Sequence, residues 1–300
     1  MTLPSDMAGP VGRHPASKRK LSGNGRPGSR SLWPLLVSEI SLLFRRRRTW
    51  AMLAALAAVP VLIAVAVRLT HSTTPGRGPA FLDRITGNGL FVVLTALVLC
   101  TPLFLPLTVG VTSGDTIAGE AGQGTLRYLL VAPAGRFRLL VVKYVGAAVF
   151  AVAATASVVL AGTTAGLLLF PVGPVPLLNG DVVGPWVAGG RLLLVGGYVC
   201  VSLLGLSAIG LFISTLTDAP VAATAATVVL AICAQVLDAL PQLDWLHPWL
   251  FSHYWLGFAD LLRQPIEWGS FGSNALLQLG YLGVFGALAY GRFSTKDVLS

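Results

Sequence analysis

Charge is what this sequence has least of. Asp, Glu, Lys and Arg make up 11% of its 300 residues, where an ordinary soluble domain carries about 25%. With 54% apolar residues and a mean hydropathy of +0.76, a soluble globule of this size could not cover its own surface, so that class is excluded. Lysine is scarce too. None of the four (Lys18, Lys20, Lys143, Lys296) follows a glycine, so the chain lacks the Gly-Lys-Ser/Thr phosphate loop of an ATPase. The three cysteines (Cys100, Cys200, Cys233) lie in separate apolar stretches without paired spacing and read as small packing residues. No nucleophile-and-base constellation is visible, which argues against an enzyme. His247 and His253 with Asp244 and Asp260 match no zinc signature, so neither catalytic residues nor a metal site is expected; a membrane enzyme built on that outer-face group is the weakest alternative.

Six stretches free of charge are long enough to cross a membrane: Thr49 to Val67, Ile85 to Gly114, Tyr144 to Gly180, Leu192 to Thr217, Ala219 to Leu237 and Trp268 to Gly291. A helix of about 20 residues crosses about 30 Å of hydrocarbon, and a charge at the bilayer centre is costly. The expected fold is therefore all-α and polytopic, with spans at about 49–69, 90–112, 139–169, 189–215, 219–240 and 272–291 in a transmembrane domain over 49–300. Pro171, Gly173, Pro174, Pro176 and Gly180 make the stretch after the third span an exposed loop. Pro60, Pro102 and Pro106 predict kinks in the first two spans.

The formal net charge is +9. With the N-terminus in the cytoplasm, 16 of the 21 Lys and Arg lie inside, and the two faces carry +10 and −1. This satisfies the positive-inside rule, places both termini in the cytoplasm of a cell-membrane protein, and accounts for the basic excess without a nucleic-acid partner. The lipid bilayer is the partner instead. All seven tryptophans fall at or beyond span ends, at headgroup level. Four of them lie within an outer segment, 241–271, read as interfacial or re-entrant helix, or as an ordinary structured loop.

Residues 1–31 are rich in Gly, Pro, Ser, Lys and Arg and predict a disordered basic cytoplasmic arm. Over 32–48, Leu32, Leu36, Ile40, Leu43 and Phe44 form one apolar stripe, with Ser38, Glu39 and Ser41 elsewhere on the wheel, ahead of Arg45, Arg46, Arg47 and Arg48. This predicts an amphipathic helix on the inner leaflet, anchored by those arginines.

The cytoplasmic loop over 114–138 carries the most distinctive pattern. Gly119, Gly122 and Gly124 surround Glu120 and allow a change of helix direction there. Thr125 is placed to cap a short helix with Leu126, Leu129 and Leu130 on one face, ended by Pro133 and Gly135. Arg136, Arg138 and Lys143 follow, where basic residues would fix the inner start of the third span. An exposed apolar face on such a helix wants a protein partner.

This order of parts resembles the six-span membrane subunits of ABC transporters of the type-2 exporter branch. The resemblance runs from Leu32 to about Ser300 and is carried by the amphipathic helix ending in arginines and by Ala118-Gly119-Glu120, Gly124-Thr125-Leu126-Arg127-Tyr128-Leu129-Leu130, Pro133, Gly135-Arg136 and Lys143. It implies that the loop holds a coupling helix seated in a groove of a separate ATPase subunit, with Gly119, Glu120, Gly124, Thr125, Leu126 and Arg127 making that contact. It also implies two ATPase copies that carry ATP and Mg, a second permease subunit, no cofactor on this chain, and export of a small amphiphilic or hydrophobic compound. One departure stands out: Ala121-Gly122-Gln123 follow the Glu where relatives often have further charges. A gradient-driven carrier or channel is the alternative, disfavoured because the charge-free stretches hold no ionisable ion-binding residue. Thr108, Thr112, Thr163 and Ser202, with Thr164 and Ser207, could line a polar substrate path or serve helix packing.

Overall fold

The structure is a computed structural model that describes residues 32–71, 88–124, 135–177 and 179–295. Of the described residues, 82% are helical. In chain order the helices are α1 (Leu32–Arg45), α2 (Arg47–His71), α3 (Leu90–Leu99), a π-helical turn (Cys100–Phe104), α4 (Leu105–Gly122), α5 (Arg136–Leu169), α6 (Pro185–Ser202), α7 (Leu204–Leu216), α8 (Pro220–Asp238) and α9 (Gly269–Thr295). Among the described residues, six stretches are long and apolar enough to cross a membrane: Arg47–Leu69, Leu90–Gly122, Arg136–Leu169, Pro185–Leu216, Pro220–Asp238 and Gly269–Thr295. The chain is thus an all-α, multi-pass membrane protein. The arm expected over 1–31 lies outside the described residues.

Three of these stretches have 32 to 34 residues, about 50 Å of helix against about 30 Å of hydrocarbon. Their ends therefore leave the apolar layer or tilt within it. The π turn sits where Pro102 interrupts the second span, and Pro106 starts α4, whereas α2 continues through Pro60. A proline lacks the N–H of the regular ladder, and one extra residue in the turn absorbs the mismatch.

In the bundle α4 packs on α7 and α8, α5 on α2 and α3, and α9 on α7. Of the six, the fourth span is the most enclosed, 67% buried against 11% for the last. Its apolar core includes Leu97, Phe150, Tyr198, Leu206 and Trp255. Outward residues such as Leu168, Val221 and Leu276 are exposed apolar side chains, as expected when the solvent is lipid.

The fourth span is not one helix. It breaks at Leu203 between α6 and α7, near its middle, and side chains take over from the helix ladder there. Gly205 N–H donates to Gln278 Oε1 at 3.1 Å, Asn274 Nδ2 to Ser202 Oγ at 2.8 Å, and Trp255 Nε1 to the Ser202 carbonyl at 3.0 Å. A Cβ at Gly205 would collide with Gln278 Oε1, so only glycine allows this approach.

Three expectations change at this level. The 241–271 segment forms no α-helix before α9 begins at Gly269; it folds into three short 3-10 helices (Pro241–Leu243, His247–Trp249, Gly257–Leu262). Its Phe251, Trp255, Phe258 and Leu261 are buried in the bundle core, with Tyr198 Oη donating to the Tyr254 carbonyl at 2.6 Å and buried Arg191 donating to those of Leu261 and Arg263. Trp255 is accordingly no headgroup residue: the carbonyl left over at the end of α6 satisfies its indole N–H inside the protein. The proline-rich stretch after α5 is more than a loop. Val175–Pro176 (β1) and Val182–Val183 (β2) pair antiparallel, with Val175 and Leu177 buried.

Candidate functional site

The best-defined polar site lies where α1, the α1–α2 junction, the end of α4 and the first turns of α5 meet. Lys143 is its centre. Its ammonium, on a side chain 5% exposed, bonds Glu39 Oε1 at 2.9 Å and Oε2 at 3.0 Å, and also bonds Glu120. Beside it Arg46 and Arg48 reach Asp115 Oδ2 at 3.4 and 3.5 Å. Three carboxylates and three cations from four elements thus alternate around a cavity of about 60 Å³ that Thr112 also lines. The outer pairs, half exposed on the arginine side, are worth about 0.2–1 kcal/mol each. The inner triad is different, because a cation withdrawn from water needs its carboxylates to remain charged and close.

The local sequence explains why these groups converge. Leu36, Glu39, Ile40, Leu43 and Phe44 share the half-buried side of α1, so Glu39 faces the bundle rather than water. That corrects its placement off the apolar stripe. The signal was present in the spacing: Glu39 lies three after Leu36 and four before Leu43, one helical face. The chain turns at Arg46, held by Thr49 Oγ1 on the Leu43 carbonyl at 2.7 Å and Trp50 Nε1 on the Phe44 carbonyl at 2.8 Å. The four arginines expected to anchor the inner leaflet are all exposed, and two of them, Arg46 and Arg48, also lean on Asp115. Lys143 likewise does more than mark the start of a span, and Arg136 donates to the Phe293 carbonyl at 3.2 Å and to that of Ser294, tying α5 to the end of α9.

Of the residues expected to contact an ATPase, Gly119 and Glu120 lie within α4, which runs unbroken to Gly122. Of the three glycines expected to allow a change of direction around Glu120, Gly119 and Gly122 stay helical, and the backbone turns at Gly124, with φ +70°. Glu120 points toward Lys143, not away from the bundle. Thr125, Leu126 and Arg127, with the expected coupling helix, lie outside the described residues. The site therefore forms the base of the loop: α4 enters it, α5 leaves it, and the triad clamps both to α1.

The four residues expected along a substrate path do not gather around one space. Thr108, Thr112 and Thr163 donate to carbonyls of their own helices; Thr112 lines the charged cavity, while Thr163 is near the opposite end of α5. Ser202 is fully buried in the network at the break of the fourth span.

No curated protein matches the chain. Residues 35–234, however, match the family described as ABC-2 family transporter protein. That stretch is two thirds of the sequence; it runs from α1 into the fifth span and contains the whole charged site. The chain accordingly belongs to the ABC-2 family of transporter proteins and is a membrane permease component of an ABC transporter.

Proposed function

We propose that the chain moves a small amphiphilic or hydrophobic compound out of the cell, driven by a separate ATPase subunit that docks on the loop over 114–138 and carries ATP and Mg. The observation that carries this reading is the Lys143 triad at the base of that loop. A force applied to the loop reaches α4 through Glu120, α5 through Lys143 and α1 through Glu39, so three elements move together rather than the loop alone. Thr125, Leu126 and Arg127 would make the contact itself, and two permease subunits would pair with two ATPase copies. The charge asymmetry supports an orientation with both termini and this site in the cytoplasm, in the plasma membrane.

The test is to purify the tagged chain from native membranes and identify its stoichiometric partners by mass spectrometry. A Gly-Lys-Ser/Thr ATPase should co-purify, and Leu126→Asp should release it while leaving permease yield unchanged. Retention of the ATPase by that variant, with full ATP hydrolysis, counts against docking at this loop. Transport by the reconstituted chain alone, on an imposed ion gradient and without nucleotide, would favour the gradient-driven reading.

A further inference from the structure

Away from the charged site, the end of α8 and the segment after it bring Asp238 together with the two histidines His247 and His253. Asp238 is the last residue of α8, His247 begins the second 3-10 helix, and His253 follows in the next turns. One ligand-capable atom from each lies within 4.8 Å of the others. His253 Nδ1 is 2.7 Å from Asp238 Oδ1, and the two imidazoles stack with centroids 5.9 Å apart. We infer that Asp238, His247 and His253 bind one divalent transition-metal ion of the zinc type, which fastens the 241–268 segment to the end of the fifth span.

The donor set selects the ion. Two imidazoles with one carboxylate suit zinc and its neighbours, whereas calcium and magnesium prefer oxygen ligands alone. Ligand atoms about 2.0 Å from a tetrahedral ion stand about 3.3 Å apart. The His253–Asp238 pair must therefore widen slightly and the longest separation close by about 1.5 Å, within reach of side-chain rotation. Two further observations point the same way. His247 Nε2 lies 3.1 Å from the Leu240 carbonyl; donation there leaves Nδ1 with its lone pair, the support that metal-bound histidines characteristically receive. Ser252, 5% exposed, keeps a buried hydroxyl with no hydrogen-bond partner among the described residues, and it lines the same cavity of about 160 Å³ as Asp238 and His253. Three protein ligands leave a fourth position open, and a water on the ion there would give that hydroxyl its partner. Asp244 Oδ1, 3.6 Å from His247 Nδ1, adds negative charge nearby. Asp260 is not part of the group, being engaged by Ser270 and Arg263.

The experiment uses the full chain in detergent, with the affinity tag removed and metals stripped by chelator. Equilibrium dialysis against Zn²⁺ should give one ion per chain, Co²⁺ should produce visible d–d bands of a four-coordinate site, and Ca²⁺ should not compete. His253→Gln and Asp238→Asn should each weaken Zn²⁺ binding at least about tenfold, while Asp260→Asn leaves it unchanged. For any variant that does not stay monodisperse, the wild type decides. Zn²⁺ should slow diethyl pyrocarbonate modification of His247 and His253 but not of His14. Absence of Zn²⁺ binding by the wild type, equal binding by a His247→Gln/His253→Gln double variant, or unprotected histidines would overturn the assignment.

Discussion

Lys143 Nζ stands 2.9 Å from Oε1 of Glu39, a residue 104 positions earlier in the chain, and the same ammonium holds Glu120. One cation thus joins α1 to both helices that flank the candidate coupling loop. Its two carboxylates keep about a fifth of their side-chain surface, so the triad is shielded on its positive side and accessible on its negative one.

Replacing Lys143 with Met leaves Glu39 and Glu120 facing each other without a cation. The expected loss is about 3 kcal/mol, the scale for removing one partner of a buried pair. The triple variant Glu39→Gln/Glu120→Gln/Lys143→Met should recover most of it, because no uncompensated charge remains. Thermal unfolding in detergent, followed by intrinsic fluorescence, reads both; an unshifted transition for Lys143→Met counts against the triad as a clamp.

A methyl group at Gly205 meets the Gln278 amide oxygen. Gly205→Ala should therefore destabilise the bundle, and Gln278→Ala should cost less in its presence than alone. The coupling energy from a double-mutant cycle is expected to be at least about 1 kcal/mol. Additive effects of the two changes would mean that the glycine and the glutamine act independently.

Trp255→Phe keeps most of the buried ring and removes only the N–H that meets the Ser202 carbonyl. Leaving that carbonyl without its donor costs about 1–3 kcal/mol. The same change at Trp249, a residue 70% exposed, should shift the unfolding transition little. Equal shifts would remove the distinction between a plugged and a surface tryptophan.

Gly124 has φ +70°, and nothing among the described residues stands within 4 Å of where a Cβ would be. Backbone strain there costs about 1–2 kcal/mol for an ordinary L-residue and less for asparagine. Gly124→Val should leave the melting transition of the bundle nearly unchanged while lowering ATPase co-purification, and Gly124→Asn should restore it. Wild-type association in the valine variant would show that the turn at this glycine does not direct the loop.

Much of this architecture was legible because apolar runs and charges follow rules that act locally. Six spans can be counted from charge-free stretches, and the apolar stripe of α1 is visible in five residues. What escaped was pairing over distance. Nothing in the surroundings of Lys143 announces Glu39, and nothing in the sequence joins Asp238 to His247 and His253, about 9 and 15 residues later. The break at Leu203 is hidden as well, since Cys200 to Leu206 carries no charge and no proline; the side chain that meets the Gly205 N–H there is a glutamine more than 70 residues later. Trp255 misled for a related reason: tryptophan composition cannot tell a headgroup position from a buried one whose N–H has found a carbonyl.

The interruption in the fourth span has a mechanical corollary. In lipid, a broken helix survives only where protein or water completes its backbone bonding, and here the completing groups come from α9 and from the segment that precedes it. The span is therefore two rods meeting at a joint that another helix seals. A change of angle between the rods would have to carry Asn274 and Gln278 along or break their bonds to Ser202 and Gly205, which ties the joint to α9.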